Sequence, residues 1–335
     1  MANIELSEER INEMFENGEA LTWARKVVGK QELSEEEKEF SEKVDATVQR
    51  FWKFNGDAEK TAIAELVGRI VEPEVFTVPM EILTSIFNDL GQYGEFDLVK
   101  IRKSPKNTLI ARHNANRTGN VQKSYLDPTV GNTYEDSLQI ETEIPMSNLR
   151  RDGALGVAEM ALYAIEEFNR TRFNLILNFV DSLITNGGDN YSSGAITANA
   201  VKDITGYIDD NCFTGKPEIV ALSNRLREAC DAIDEKYYSN EMKNQFNALA
   251  SFQEVRGCTL VPVKAGKKTG KGDTLLPKDR IFGFSGVLGD MYTKGEMRTL
   301  MNTDINSEII NLKFTGVEFG VCVTDTSKIY KFVIQ

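Results

Sequence analysis

The chain has 335 residues, of which 41% are hydrophobic and 27% charged, with 39 lysines and arginines against 51 aspartates and glutamates for a net charge of −12. These values exclude a collagen-like, low-complexity or wholly disordered chain, and the length fits about two domains or one large domain with extensions. So acidic a chain is a poor general binder of nucleic acid or anionic membrane unless its basic residues are gathered in one place.

Cys212, Cys230, Cys258 and Cys322 match no zinc or CxxC spacing. A chain of this size buries enough surface to fold without disulfides, so a reducing compartment is expected. The N-terminus lacks the positive flank and apolar run of a signal peptide, and no export is expected. The most apolar region, residues 168–184, is broken by Asn169, Arg170, Arg172, Asn174, Asn178 and Asp181, which excludes a membrane-spanning helix there.

Residues 1–45 carry thirteen acids and six bases and read as helices. Ser34 followed by Glu37 is a capping box, after which Phe40, Val44, Val48, Phe51 and Trp52 recur at helical spacing as one apolar stripe. Asn55-Gly56 stops that helix, and Asp57 caps a short successor with Ile63, Leu66 and Val67. Beyond Pro73 and Pro79, the spacing of Ile82, Ile86, Phe87 and Leu90 predicts a helix ending at Gly91. Such small helices enclose no core of their own and need a surface to lie on.

Between residues 98 and 126 the balance reverses: Lys100, Arg102, Lys103, Lys106, Arg112, Arg117 and Lys123 stand without a single acid. Strand-like pieces at 97–102 and 108–112 flank a turn, and 113–133 shows no period. Irregular stretches of that length are usually functional or disordered, and an isolated two-stranded ribbon is marginal in water, so an ordered form needs a partner. Leu138, Ile140 and Ile144 then alternate with Gln139, Glu141 and Glu143 as a half-buried strand.

The longest element follows. Ala154, Ala158, Ala161, Ile165, Phe168, Ile176, Phe179 and Leu183 fall on one helical face, stopped by Asn186-Gly187-Gly188. From residue 152 to 184 this helix would run about 50 Å, the backbone of the molecule. Arg172 interrupts its apolar face and is expected to snorkel or to pair locally. Thr197 caps a helix with Val201, Ile204 and Ile208, residues 218–222 read as a strand, and Ser223 caps the next helix. Further strands are expected at 259–263, 281–284, 296–301, 308–323 in one or two pieces, and 328–334. The mixture is α+β.

Catalytic patterns are weak. The lone histidine, His113, sits in the irregular basic stretch and is expected to be exposed and non-catalytic. The loop Lys264-Ala265-Gly266-Lys267-Lys268-Thr269-Gly270-Lys271-Gly272 fails the P-loop pattern, with three residues between Gly266 and Gly270 and no Ser or Thr after Lys271. A flexible surface hairpin is the plainer reading. Glu141 with Glu143, and Glu166 with Glu167, are carboxylate pairs that 51 acids produce by chance, and no cluster has a metal spacing.

The order of parts resembles the major capsid protein of tailed bacteriophages, the Hong Kong 97-type shell fold. The resemblance rests on Leu138-Gln139-Ile140-Glu141-Thr142-Glu143-Ile144-Pro145-Met146 running into the long helix, on Pro217-Glu218-Ile219-Val220-Ala221-Leu222-Ser223, and on the ending from Ile281-Phe282-Gly283-Phe284 through Phe314-Thr315-Gly316-Val317-Glu318-Phe319-Gly320-Val321 to Lys328-Ile329-Tyr330-Lys331-Phe332-Val333-Ile334. It implies an N-terminal arm at 1–75, an E-loop at 96–140, a P-domain with a spine helix at 76–95, 141–186 and 291–321, and an A-domain at 187–290 and 322–335.

The function it implies is mechanical: hexamers and pentamers of the chain close an icosahedral shell around packaged double-stranded DNA, without catalysis, cofactor or metal. Its partners would be further copies of itself, a separate scaffolding protein, and portal and decoration proteins. The shell would assemble in the host cytoplasm and end in the virion, with no membrane involved and the DNA enclosed without specific binding. The basic residues from Lys100 to Lys123 are expected to dock on an acidic surface of an adjacent subunit that includes its arm, with Glu35, Glu36, Glu39, Phe40, Val44, Phe51 and Trp52 at that interface. An encapsulin-type compartment around enzyme cargo is the alternative on the same fold, and a soluble carboxylate-dependent enzyme is the alternative of another class.

Overall fold

The computed structural model describes residues 7–76, 81–99, 131–212, 215–233, 239–249, 252–264, 275–304 and 308–335. Four N-terminal helices come first: α1 (Glu8–Glu16), α2 (Glu19–Val28), α3 (Glu35–Phe54) and α4 (Asp57–Val75). The Ser34–Glu37 capping box forms in both directions, and Asn55, in the left-handed region at φ 44°, ends α3. Gly56, rather than Asp57, occupies the cap of α4. That helix is longer than expected because it continues through Pro73, which stands so close to the C-terminal end that its missing N–H costs only one late hydrogen bond.

The spine is α7 (Ala154–Leu183), about 45 Å long at 1.5 Å per residue, preceded by α6 (Met146–Asp152). Gly153, at φ 52°, breaks the two apart. Asp45 of α3 accepts the Ala154 N–H at 2.6 Å and so caps the spine from the arm. Val157, Ala161, Phe168, Phe173, Ile176 and Val180 bury its inner face. The arm helices are not coreless: they lie on this helix within the same chain, and Phe40 meets Trp23 at 4.9 Å and Phe15 at 5.7 Å between ring centroids. Arg172 is buried on the spine and donates to the Val75 carbonyl at 2.9 Å and to Asn169 Oδ1 at 3.3 Å, closing the end of α4. The expected local pairing is there, without an exposed head. Burial pushes its pKa down to about 10, against the pull of Asp89.

One sheet has the order β1-β8-β10-β2 with β9 also on β10, formed by β1 (Phe87–Tyr93), β2 (Asn132–Pro145), β8 (Gly289–Lys294), β9 (Arg298–Asp304) and β10 (Ile309–Val323). The expected helix at 82–91 is therefore half wrong. A short α5 (Glu81–Ile86) gives way at Phe87 to a strand that runs parallel to β8, a pairing two hundred residues away that no local period reports. Strand β10 is a single piece. It pairs β9 over its first half and β8 over its second, with β2 along its whole other side. The register slips between Phe314 and Val317, where Gly316 at φ 87° lies against the Glu296 carbonyl.

The other sheet runs β3-β11-β7-β4-β6-β5, from β3 (Tyr191–Gly194), β4 (Pro217–Leu222), β5 (Glu254–Val255), β6 (Cys258–Val263), β7 (Arg280–Ser285) and β11 (Ile329–Ile334). Val220, Phe282, Phe284 and Ile329 on one face join the core around the spine. Ile219, Ile281, Tyr330 and Phe332 on the other face pack with α8 (Ala198–Asp210) and α9 (Ser223–Asp231) as a second core; α10 (Asn240–Leu249) contributes Met242 at its edge. Thr197 caps α8 as expected, whereas Ser223 is the first residue of α9 and donates to the Val263 carbonyl instead of capping. The expected ribbon strands lie outside the described residues, apart from 97–99, which form none. The glycine-rich stretch is likewise outside them, apart from Lys264.

Candidate assembly surfaces

Among the described residues no three of His, Cys, Asp and Glu are grouped to hold a metal, and no helix is long and apolar enough to cross a membrane. His113 lies outside them. The four cysteines are free thiols, all but Cys212 buried, and burial raises the pKa of each.

Among the described residues an open groove of about 770 Å³ lies between the strand β2 and the helices α6 and α7. The strand-to-helix turn at Pro145-Met146 folds the chain back on itself, which brings Glu141 and Glu143 on β2 opposite Glu166 and Glu167 on the spine. Both carboxylate pairs singled out in the sequence thus share one wall-to-wall site. Asp152 and Glu159 complete six acids among the described residues of the lining, where Arg170 is the only base. Asp152 is bound by Arg151 at 2.7 Å, which holds its carboxyl below the ordinary aspartate range. Glu141, Glu143 and Glu166 are exposed and make no ion pair among the described residues. Tyr163 stands in the same groove at 67% exposure. A negative trough with an aromatic in it, along a strand that has a neighbour on only one side among the described residues, fits an extended cationic segment.

The expected interface acids of the arm are differently placed. Glu36 is 3.0 Å from Arg10, Glu35 is 2.7 Å from Lys38 and Glu39 is 3.9 Å from Lys43. Arg10 also binds Glu19 at 2.7 Å, and Lys26 binds Glu37 at 2.6 Å. Each of the three expected interface acids therefore holds a cation within the chain. Phe40, Val44 and Phe51 are buried against that chain's own helices, within the core around the spine. Trp52 is half-buried, with Arg150 over its ring at 5.7 Å from the centroid. Of the expected basic set, Lys100, Arg102, Lys103, Lys106, Arg112, Arg117 and Lys123 all lie outside the described residues. That basic stretch follows β1 and leads into β2, the strand that walls the groove. Sequence reasoning missed the groove because its two walls are about 25 residues apart and each acid pair taken alone is unremarkable.

No protein-family model and no curated protein matches the sequence. Solved structures do. The chain is similar to one from the satellite phage P4 procapsid that includes the size determination protein, with a TM-score of 0.52 and 9% identity over 82% of this chain and 90% of that one. Likenesses to the mature capsid of bacteriophage PhiM1 (TM-score 0.45, 9% identity, 74% of this chain and 86% of that) and to Mycobacterium phage Bobi (0.46, 6%, 70% and 83%) are looser. The fold of this chain is that of a phage capsid subunit, as its sequence resemblance implied.

Proposed function

We propose that this chain is the major capsid protein of a tailed bacteriophage, a subunit that assembles with its own copies into a closed shell. The observation that carries the reading is the capsid fold spanning 82% of the chain at a TM-score of 0.52. In this reading residues 1–75 are the N-arm, 96–140 the E-loop, 76–95, 141–186 and 291–321 the P-domain, and 187–290 with 322–335 the A-domain. Hexamers and pentamers form by head-to-tail contacts around rotation axes and close as an icosahedron. Scaffolding, portal and decoration proteins join it in the host cytoplasm, and the finished virion encloses double-stranded DNA.

The charges support an assembly role and assign its parts. The seven cations of residues 98–126 seek a negative surface, and the groove between β2 and α7 offers one in which Glu141, Glu143 and Glu166 hold no cation among the described residues, whereas Glu35, Glu36 and Glu39 of the arm already hold cations. The basic segment of one copy accordingly docks in the groove of the next. A net charge of −12 also suits a container, since a surface that does not grip phosphates lets DNA be packed and released. Sedimentation velocity of the purified protein across salt concentrations tests the proposal. Large closed species, or hexamers and pentamers that convert to them, are expected; a monomer or dimer under every condition, with and without scaffolding protein, would refute it.

A further inference from the structure

Lys331 occupies a position where an apolar residue would be expected. It lies on β11 between β3 and β7, opposite Tyr191 and Phe282, on the face that carries buried Ile329 and, across β7, buried Phe282 and Phe284. Only 8% of its side chain is exposed. A lysine so placed must be paired, and its ammonium is 2.9 Å from Asp181 Oδ1 in the last turn of the spine helix. The same ammonium donates to the Asp181 backbone carbonyl at 3.1 Å, one of the helix-end carbonyls left short of partners, which Ile184 N–H reaches only at 3.4 Å. From the neighbouring strand β7, Arg280 Nε donates to the same Oδ1 at 3.1 Å and also binds Asp279. The Lys331 N–H donates to Asn190 at 2.9 Å, so the chain leaving the helix is tied to the same residue.

We infer that Asp181, Lys331 and Arg280 form an orientation pin that fixes the end of the spine helix against the second sheet. The surrounding contact is a face of Phe282, Phe284, Ile329 and their neighbours, and apolar burial has no direction: such a face holds two bodies together while tolerating slide and roll. A carboxylate bound by cations from two adjacent strands, one of them also on the helix-end carbonyl, has one satisfactory geometry. Buried charge is then retained for registry rather than for stability. The inference rests on this joint alone and does not depend on the capsid reading.

The test uses the full-length subunit with nitroxide labels at N178C on the exposed side of α7 and K202C on the exposed side of α8, across the joint, in a Cys212→Ser background. Pulsed dipolar spectroscopy should give one narrow distance distribution for the otherwise unaltered protein. The double variant D181L/K331M removes both charges while keeping apolar bulk, and Arg280 keeps Asp279 as a partner. It should still melt in one cooperative transition, with a broadened or two-peaked distribution. Asp181→Glu, which keeps the charge and adds one methylene, should displace the mean distance while leaving the distribution narrow, and it serves if the double variant does not fold. Distributions of unchanged mean and width in the folded variants would overturn the inference.

Discussion

Reversing Glu141, Glu143 and Glu166 to lysine would turn the open trough between β2 and α7 from a receptor for cations into a repellent. All three side chains are exposed and hold no cation among the described residues, so the change disturbs no pairing among these residues. The subunit should keep its melting temperature. An exposed ion pair contributes about 0.2 to 1 kcal/mol, so three lost attractions amount to about 0.6–3 kcal/mol per docked segment, or a roughly 3- to 150-fold weaker contact. In a shell that contact recurs in every subunit. The concentration at which light scattering first reports assembly should therefore rise by at least that factor. The effect should fade at high salt, because screening acts over about 8 Å at 0.15 M and about 3 Å at 1 M. Combining the reversal with Arg102, Lys103 and Lys106 changed to glutamate should restore assembly at low salt. A folded groove variant with an unchanged onset concentration and salt dependence would refute the reasoning, and the basic segment would then dock elsewhere.

Four further outcomes are expected. Phe40→Ala should lower the stability of the isolated subunit by about 3–5 kcal/mol in chemical denaturation, because the ring is buried against Trp23 and Phe15 of its own chain; a loss near zero would place the stripe at a subunit contact after all. Gly316→Ala forces a side chain into the left-handed region, at about 1–2 kcal/mol, and sets its Cβ 2.3 Å from the Glu296 carbonyl, so thermal unfolding should begin earlier and the bulge amides lose hydrogen-exchange protection. Burial and then the nearby Glu296 raise the Glu72 carboxyl above the ordinary glutamate value, so its contribution to stability falls as pH rises from that value through the folded one; Glu72→Gln should raise the melting temperature at neutral pH and flatten its rise toward mild acid. If the orientation pin carries into shells, D181L/K331M particles should show a wider spread of diameters by dynamic light scattering than those of the unaltered protein.

Local chemistry was legible where one element answers to its own residues. The capping box at Ser34, the stripe of the spine helix and the alternation of β2 all stand where their spacing puts them. The strand β8 was missed because Asp290 and Thr293 are buried among apolar neighbours and break the period, with Asp290 satisfied by Asn88 of β1 at 3.0 Å. Phe87 to Leu90 carried a helical spacing that pairing with β8 overrode. The arm's dependence on another surface was readable, but its location within the same chain was not, since nothing in the spacing of Phe40, Val44 and Phe51 says whose helix covers them. The groove and the Asp181 joint are both assembled from distant segments. Lys331 was the available signal for the latter, a charge inside an otherwise apolar closing strand.

Electron microscopy of the purified protein, incubated alone and with scaffolding protein, decides the capsid reading. Closed shells of uniform diameter built from hexameric and pentameric clusters are expected. A field of small, fixed oligomers that never closes, whatever the salt or protein concentration, would contradict it.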